Sequence, residues 1–390
     1  MLKMRFVMNP RFPGNGGIRR GGAAAVLLAL AALAGCSQGS PAGGSTAGSG
    51  ATSGTGATSG STTGSSGAAL ESFGITGALP ARLAAGTVKI ALVRQLSAGD
   101  FFEQWLAGAE AEAKALHVKL EVSSGNGNNA QQALYLQEAI NEKVNAIIVD
   151  HGFAQTMQPV IAKAATAHIP LIAFDVQPGV AADPILDQDD PVVAAESLSL
   201  LKKNTGGHAQ VIYAYVAGYR PLDLRNDTWE AFKKANPGIK QVAQIGVVNS
   251  DTTAQTADEA KAALLAHPGV TAIFAPYDAF AQGAVLAVDE LGLQKKVRVY
   301  GADISTADID AMTAADSPWV DTAATDPADV GEVAVRAAAR LVLGDKVPLD
   351  LIVPPQLITQ QFLTSHDVTN MTQLVTDLPS LNTPGIASIP

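Results

Sequence analysis

The stretch VKIALVRQLSAGDFFEQWLAGAEAEAKALHVKLEV (88–122) contains the unit that decides the fold of this chain. It begins with the short β-branched run VKIALV (88–93) and ends with a second such run, VKLEV (118–122). Between them, the apolar residues of EQWLAGAEAEAKAL (103–116) recur at intervals of three and four, which is the spacing of an amphipathic helix. The stretch therefore predicts a strand, a helix and a second strand.

The same alternation continues along the chain for more than two hundred further residues. Further strands are predicted at AIIVD (146–150), PLIAF (170–174), QVIYAYV (210–216), VAQIGVV (242–248), TAIFA (271–275), VRVYG (297–301) and WVDTA (319–323). Repeated β-α units give a mostly parallel sheet with helices on both faces. Because the units form two successive sets separated by the aspartate-rich segment 187–190, we predict an α/β fold of two doubly wound, Rossmann-like lobes. Such lobes place ligands in a cleft at the carboxyl ends of their strands.

The N-terminal segment has the order of features that an export signal requires. Two arginines (19–20) precede the apolar stretch 23–32, and the run Leu-Ala-Gly-Cys (33–36) ends in the only cysteine of the chain, Cys36. An apolar stretch this short does not span a bilayer as a permanent helix, whereas it fits the apolar region of a signal peptide. The start codon stays open among the first methionines.

The run that ends at Cys36 resembles the lipobox of bacterial lipoproteins. This resemblance implies a signal peptide over residues 1–35, cleavage before Cys36 and lipid attachment to its thiol. The alternative is an ordinary secretory signal with an incidental cysteine, but a lone cysteine has no disulfide partner in the chain. Residues 36–79 are then a lipidated cysteine and a tether, because 37–69 are nearly all Gly, Ser, Thr and Ala and cannot bury enough surface to fold.

The charge of the chain excludes one class of partner. The formal net charge is −10, and residues 1–35 contain five basic residues and no acidic one, so removal of this segment leaves −15. An acidic surface repels phosphate backbones. We therefore expect no nucleic-acid partner.

Catalytic and metal-binding motifs are scarce in the folded region. It has no P-loop lysine after a glycine run, no HExxH and no CxxC, and the one GxSxG match (35–39) straddles the predicted cleavage point. The six histidines are scattered without metal-ligand spacing. These motifs predict neither a cofactor nor a metal.

Seven segments occur in an order and at a spacing that resemble the type I periplasmic sugar-binding proteins, the ribose-binding group in particular. They are KIALVRQLSAGDFFEQWLAGAEAEAKAL (89–116), NAIIVD (145–150), HIPLIAFDVQ (168–177), LRNDTWEAFKK (224–234), LLAHPGVTAIFAPYDAFAQGAVLAV (264–288), VRVYGADIS (297–305) and DTAATDPADVG (321–331). The resemblance covers about residues 86–358. It implies a solute receptor of an ABC importer, in which each lobe supplies half of the site and closure about a three-crossing hinge traps the solute.

The same resemblance implies the boundaries of the lobes. Crossings are expected near Asp189, Thr325 and Leu351. The N-terminal lobe then comprises 87–188 with 326–350, and the C-terminal lobe 189–325 with 351–362. Residues 363–390 are expected to form a tail that packs across a lobe or stays loose.

Ligand-binding positions also follow from the resemblance. Phe101 and Phe102 match the aromatic pair that stacks on the apolar face of a sugar, although either could belong to the core. Asp175 and Asp303 match the carboxylates that accept hydrogen bonds from hydroxyls, with helix capping as the alternative. Arg225 matches an arginine that bridges two hydroxyls or binds a carboxylate, with a surface salt bridge to Asp223 or Asp227 as the alternative.

Four positions depart from the ribose-binding pattern. Val176 replaces an arginine, and Gly99 or Ala98 replaces an asparagine. Tyr277 replaces a second asparagine and Thr325 a glutamine, and both are predicted ligand-binding residues. Loss of an arginine beside two retained aspartates makes the cleft more acidic, which disfavours anionic solutes and favours a neutral sugar, a polyol or a cation. Trp105, Tyr277 and Trp319 are candidates for additional stacking surface, and Trp105 is equally a candidate for the core.

The sequence thus predicts a monomer, tethered outside the cytoplasm by its lipid, that captures a sugar or polyol for an ABC permease. Two alternatives remain open. One is an enzyme on the same scaffold, a glycoside hydrolase with Asp175 and Asp303 as its acid/base pair. The other is a sensory receptor for a non-sugar solute.

Overall fold

A computed structural model of the chain describes residues 78–180 and 183–381. The predicted signal peptide, Cys36 and almost all of the predicted tether lie outside the described residues. In the described ranges, no helix has both the length and the apolar character needed to cross a membrane.

The described residues alternate between strands and helices. The strands are β1 (Lys89–Arg94), β2 (Lys119–Ser124), β3 (Ala146–Asp150), β4 (Leu171–Phe174), β5 (Ile185–Asp187), β6 (Ala209–Ala214), β7 (Ile239–Ile245), β8 (Ala272–Ala275), β9 (Arg298–Ala302), β10 (Trp319–Ala324), β11 (Asp350–Ile352) and β12 (Gln356–Thr359). The helices are α1 (Ala81–Ala84), α2 (Asp100–Ala115), α3 (Asn129–Asn141), α4 (Ala154–Thr166), α5 (Asp190–Thr205), α6 (Arg220–Ala235), α7 (Thr252–Ala266), α8 (Asp278–Glu290), α9 (Thr306–Thr313), α10 (Pro327–Leu343), α11 (Gln360–Ser365) and α12 (Met371–Asp377).

The strands form two sheets, one in each lobe. The first sheet has the order β11-β5-β4-β3-β1-β2 and the second the order β12-β10-β9-β8-β6-β7. The pairs are parallel except for the edge strand β12, which is antiparallel to β10. Apolar clusters cover both faces of each sheet, as expected for parallel sheets with helices on both sides. The predicted α/β fold of two doubly wound lobes is confirmed.

The chain passes between the lobes at three places. It leaves the first sheet after Asp187, returns between β10 and α10, and leaves again between β11 and β12. The third passage follows Ile352, the residue after Leu351, because β11 pairs with β5 of the first sheet.

The C-terminal segment follows one of the two alternatives expected for residues 363–390, since its described part packs against a lobe. Leu363, Leu374 and Leu381 are fully buried in the main apolar cluster of the second lobe. Residues 363–381 therefore belong to that lobe, because α11 and α12 bury their apolar side chains against it. The remaining residues of the predicted tail lie outside the described range.

Helix α10 returns the chain to the first lobe and packs closely against α2. Two glycines make the close approach possible: a Cβ at Gly108 would lie 2.0 Å from the carbonyl oxygen of Ala328, and one at Gly331 would lie 2.1 Å from that of Trp105. A fully buried ion pair joins the same helices, with Arg336 Nε donating to Glu112 Oε1 at 2.7 Å. This packing fixes the segment between the second and third passages to the first lobe.

The lobes also contact each other on the side of the cleft away from these passages. The N–H of Ala154 donates to the carbonyl of Gly218 at 3.1 Å, and Asn129 Nδ2 donates to the Tyr219 hydroxyl at 3.4 Å. The N–H of Ala307 donates to Asp100 Oδ2 at 3.1 Å. Since each bond joins one lobe to the other, the cleft is closed.

Candidate ligand-binding cleft

A narrow cavity of about 40 Å³ lies between the lobes. It is lined by side chains from both lobes: Gln95, Leu96, Phe102, His151, Asp175, Tyr219, Pro221, Leu222, Arg225, Val248 and Tyr277. Polar groups therefore face an aromatic and aliphatic wall, which is the usual composition of a small-molecule site.

Arg225 is held in the cleft by two buried carboxylates of the second lobe. Its Nη1 and Nη2 each donate to one oxygen of Asp303 at 3.0 Å, and its Nε donates to Asp190 Oδ1 at 2.8 Å. Nη1 also donates to the carbonyl of Pro276 at 2.9 Å. A guanidinium has five N–H donors, so one N–H of Nη2 is left for a solute among the contacts of the described residues.

Asp175 presents an unpaired acceptor to the cleft. It follows β4 with a positive φ of 51°, a conformation that aspartate tolerates better than most residues. Its Oδ2 accepts from Gln188 Nε2 at 3.3 Å, whereas its Oδ1 is buried and has no hydrogen-bond partner in the described part of the chain. Burial, followed by the charges of Asp190 and Asp187, raises the pKa of Asp175.

Gln188, at the first passage between the lobes, connects the carboxylates of both. The same Nε2 that donates to Asp175 lies 3.5 Å from Asp303 Oδ1. Its Oε1 accepts from Thr325 Oγ1 at 2.6 Å. The sequence predicts Thr325 as a ligand-binding residue, but Thr325 is fully buried and does not line the cavity, so it orients Gln188 instead.

The two phenylalanines have different surroundings. Phe102 lines the cavity, but Phe101 lies behind it in the apolar cluster of the first lobe, at 5.5 Å from the Phe102 ring and nearly perpendicular to it. Phe101 therefore supports Phe102 and does not cover a solute. Trp105 and Trp319 are both fully buried and add no stacking surface to the cavity, because each side chain packs within its own lobe.

Two tyrosines complete the aromatic wall from the second lobe. Tyr277 lines the cavity as expected, and its ring packs edge-on against Phe280 at 5.1 Å. Burial, with the charge of Asp278, raises the pKa of Tyr277 well above its usual value. Tyr219, which the sequence did not single out, lines the opposite side.

Val176 does not face the cavity. It is fully buried in an apolar cluster of the first lobe, so the position that holds an arginine in the ribose-binding group contributes packing here. The cleft nevertheless has a second guanidinium: Arg220 Nη2 forms an ion pair with Asp187 at 2.6 Å, and its Nη1 donates to Gln177 at 2.8 Å. Both partners belong to the first lobe, so this contact also joins the lobes.

Three aspartates form the tightest acidic cluster of the cleft. Carboxylate oxygens of Asp175, Asp187 and Asp190 lie within 4.8 Å of one another. Burial raises the pKa of Asp190 to about 6, against the opposing charge of Arg225. Arg220 and Arg225 pair with Asp187 and Asp190, so two of the three carboxylates already have a guanidinium partner.

A second, larger chamber of about 330 Å³ adjoins the first, and the two share the walls formed by Leu96, Phe102 and Tyr277. Its lining includes Asp100, Asp251 and Asp278 and no basic side chain. Burial, with the charges of Asp308 and Asp303, raises the pKa of Asp278 well above its usual value. The space next to the cavity is thus polar and acidic.

Residues 90–346 match the family of the periplasmic binding protein domain. The chain belongs to this family. The resemblance expected from the sequence is therefore confirmed, and family membership implies an extracytoplasmic location.

Three similar proteins support the assignment of the chain to this family. The chain is 41% identical to the solute-binding protein of a 5-methylthioribose transporter from Thermotoga lettingae, solved in complex with 5-methylthioribose, over 76% of this chain and 94% of that chain with a TM-score of 0.74. A sugar ABC transporter protein from Yersinia enterocolitica is 30% identical over 80% of this chain and 98% of that chain, also with a TM-score of 0.74. The ribose import binding protein RbsB of Bacillus subtilis is 24% identical over 67% of this chain and 84% of its own length.

These relatives are binding proteins of transporters, which supports the expectation that the chain is not an enzyme. The geometry agrees, because Asp303 is engaged by two nitrogens of Arg225 and is not free to exchange a proton with a substrate. A glycosidase acid/base pair needs two carboxyls with unlike pKa values that both reach the scissile bond. Asp175 and Asp303 therefore do not form such a pair.

Proposed function

We propose that this binding protein captures a neutral sugar or polyol outside the cytoplasm and delivers it to an ABC permease. The observation that carries the proposal is that Asp175, with an oxygen that has no partner among the described residues, and Arg225, with a spare N–H, line one cavity with the rings of Phe102, Tyr219 and Tyr277. Hydroxyl-rich solutes lose strong hydration on enclosure, so directional acceptors and donors must replace it, while aromatic faces cover the apolar C–H surface.

The wall of the cavity favours a sugar with an apolar substituent. Leu96, Leu222 and Val248 line the same cavity as the polar groups, and an unsubstituted sugar has no matching aliphatic surface. The 5-methylthioribose bound by the Thermotoga relative has this combination of a polar ring and an apolar group. We therefore place 5-substituted ribose ahead of ribose itself as the solute.

The solute test is calorimetric titration with 5-methylthioribose, D-ribose, xylitol and D-ribose 5-phosphate. We expect binding of at least one neutral compound and none of the phosphate, since the site is acidic. Product analysis after incubation tests the enzyme alternative. Tight binding of the phosphate, or turnover of any compound, would contradict the proposal.

Site variants refine the same experiment. Asp175→Asn keeps the shape of the side chain but removes its charge, and we expect it to weaken binding of the best compound by about 2–5 kcal/mol. Asp310→Asn, on α9, is the matched control, because it removes one carboxylate of the second lobe that does not line the cavity. Equal affinity of both variants would exclude Asp175 from the site.

We also propose that the protein is held at the membrane by a lipid on Cys36. Its support is the Leu-Ala-Gly-Cys run and the Gly/Ser/Thr-rich segment behind it. A diacylglycerol brings two acyl chains, and stable anchoring requires two membrane signals. Cys36→Ala should leave the membrane fraction or stay unprocessed, whereas Ser37→Ala should behave as wild type. Membrane retention and normal processing of Cys36→Ala would contradict the lipid anchor.

A further inference from the structure

His151 lies in the wall of the cavity, at a position that neither the sequence nor the comparisons assign to the solute. It follows β3 directly, and its backbone has a positive φ of 57°. The ring lies edge-on to Phe102 at 5.4 Å and to Phe174 at 4.9 Å. With its side chain 16% exposed, the imidazole is fixed between two rings and one edge faces the cleft.

Asp150 determines which ring nitrogen carries a hydrogen. Asp150 Oδ2 accepts from Arg94 Nε at 2.9 Å, in an ion pair that is almost fully buried. Although burial opposes ionisation, hydrogen bonds from His151 and Arg94 lower the pKa of Asp150. Asp150 is therefore an ionised acceptor, and the 2.6 Å contact between its Oδ1 and His151 Nδ1 requires that Nδ1 bears a hydrogen.

The other ring nitrogen faces a second carboxylate. His151 Nε2 lies 3.5 Å from Asp175 Oδ2, the same oxygen that accepts from Gln188. In a neutral imidazole with its hydrogen on Nδ1, Nε2 is an acceptor. Two acceptors would then face each other in a closed cleft with little water, unless one proton lies between them.

The surrounding charges favour retention of that proton. Asp187 on β5, Asp190 on α5 and Asp303 after β9 add negative charge around Asp175. The opposing cations are Arg94 on β1, which is paired with Asp150, and Arg220 and Arg225 on α6. Acidic groups outnumber basic ones, so an additional proton lowers the electrostatic repulsion.

We propose that His151 is a ligand-contacting residue of the sugar site and that His151 and Asp175 share one proton when the cleft is closed. The pair then presents a neutral polar surface, and Asp175 Oδ1 remains free to accept from a solute hydroxyl. When the cleft opens, water solvates both groups and the proton is held less tightly. Capture of the solute is therefore accompanied by proton uptake.

Linkage fixes the sign of the pH dependence. If the closed, liganded form binds more protons than the open form, affinity is highest at low pH and falls as the pH rises. The decrease is at most about tenfold per pH unit for one proton. The proposed proton uptake rests on the proposed sugar site. The experiment must therefore separate failure of proton uptake from failure of sugar binding.

The first measurement is calorimetric titration with 5-methylthioribose and D-ribose in buffers of different ionisation enthalpy, from about pH 5.5 to 8.5. Wild-type protein should take up a fraction of a proton, up to about one. His151→Asn should bind more weakly and take up none. His168→Asn is the matched control, since His168 is an exposed first-lobe histidine with nearly the same φ, 56°, and asparagine tolerates that backbone conformation.

The second measurement does not depend on a solute. Nitrogen-15 imidazole spectra of the native protein, assigned with His151→Asn, report which nitrogens carry hydrogen. We expect Nδ1 of His151 to carry a hydrogen in the solute-free protein, because Asp150 Oδ1 accepts from it at 2.6 Å. A neutral ring with hydrogen only on Nε2, or sugar binding without proton uptake, would overturn the proposal. Absence of any sugar binding would contradict the proposed function, while the spectra would still decide the histidine assignment.

Discussion

Asp100 Oδ2 accepts a hydrogen bond from the backbone N–H of Ala307 across the mouth of the cleft, at 3.1 Å. Asp100 is the first residue of α2 in the first lobe, and Ala307 lies in the first turn of α9 in the second. The first N–H groups of a helix lack intrahelical partners and attract negative charge. The carboxylate therefore binds the N-terminus of α9 only when the lobes are together.

We predict that Asp100→Ala releases solute faster than wild type. Loss of a carboxylate at a helix N-terminus costs about 0.3–1 kcal/mol, which corresponds to at most about fivefold in affinity. The change should fall on the dissociation rate, because the contact forms only on closure. Stopped-flow measurement with the best sugar from the titration panel checks this expectation.

Glu103→Ala is the matched control for this prediction. Glu103 belongs to the first turn of the same helix and is exposed, so its removal changes the charge near α2 without removing the bond to Ala307. Equal dissociation rates for Asp100→Ala and Glu103→Ala would show that the contact does not stabilise closure.

A second prediction concerns the bond between Thr325 and Gln188, which joins two of the three passages between the lobes. Thr325→Val keeps the shape of the side chain but leaves Gln188 Oε1 without its donor. We expect affinity to fall by about 1 kcal/mol, the usual net contribution of one hydrogen bond, because the amide of Gln188 no longer has a fixed orientation toward Asp175 and Asp303.

Thr313→Val is the control for Thr325. The Thr313 hydroxyl donates to the carbonyl of Ile309 within α9, away from the cavity. Both variants should lose similar stability on thermal denaturation, but Thr325→Val alone should weaken sugar binding. Unchanged affinity of Thr325→Val would mean that Gln188 is oriented without it.

The repeating strands could be predicted because each is an apolar run, and these runs alternate regularly with amphipathic helices along the chain. AIIVD (146–150) coincides with β3, and the other predicted strands overlap those of the structure. No strand was predicted at β5, β11 or β12, which have three or four residues each. β11 and β12 are edge strands, and β5 pairs with β11, which lies far away in the sequence, so local sequence carries little information about these strands.

Candidate site residues came from the resemblance to the ribose-binding group. Two of them, Asp175 and Asp303, share a structural feature, because both follow a strand and adopt positive φ there. A rule based on this position, applied to AIIVD, would have selected His151, the next residue. Asp190 and Gln188 were hidden in the acidic segment between the lobes, because their role depends on contacts with Arg225 and Thr325 that only the folded chain creates.

A third prediction concerns stability and pH. Asp321 on β10 is fully buried, and burial raises its pKa well above the usual value, with Ser197 opposing this only in part. The pKa of this carboxyl is higher in the folded protein than in the unfolded chain. Its contribution to the free energy of unfolding is therefore complete below the unfolded-state pKa and is lost as the pH rises toward the folded-state pKa. Asp321→Asn mimics the neutral acid, so it should stabilise the protein at pH 7–8 and have little effect near pH 4.

Asp316→Asn is the control for Asp321, since it removes one charge at an exposed position of the same lobe. Midpoints of thermal unfolding at several pH values measure both variants. Each unit of pKa elevation contributes about 1.4 kcal/mol at a pH above the folded pKa. A pH-independent difference between Asp321→Asn and wild type would show that ionisation of Asp321 does not limit stability.

The last prediction concerns the buried ion pair that fixes α10 to the first lobe. Arg336 Nε and Nη2 donate to the two carboxylate oxygens of Glu112 at 2.7 and 2.9 Å, and both side chains are almost completely buried. Replacing Glu112 by glutamine leaves the buried guanidinium with Glu332, whose Oε2 lies 3.7 Å from Arg336 Nη2, as its remaining charge partner among the described residues. Removal of one partner of a buried pair costs about 3–5 kcal/mol, so Glu112→Gln should lower the urea midpoint strongly.

Glu110→Gln, at an exposed position two residues earlier on α2, removes the same charge and should leave the midpoint nearly unchanged. Because α10 connects the second and third passages between the lobes, loosening it should also weaken sugar binding in Glu112→Gln, although neither Glu112 nor Arg336 lines the cavity. If Glu112→Gln and Glu110→Gln unfold at the same urea concentration, the ion pair does not secure α10, and the close packing at Gly108 and Gly331 must hold the helix instead.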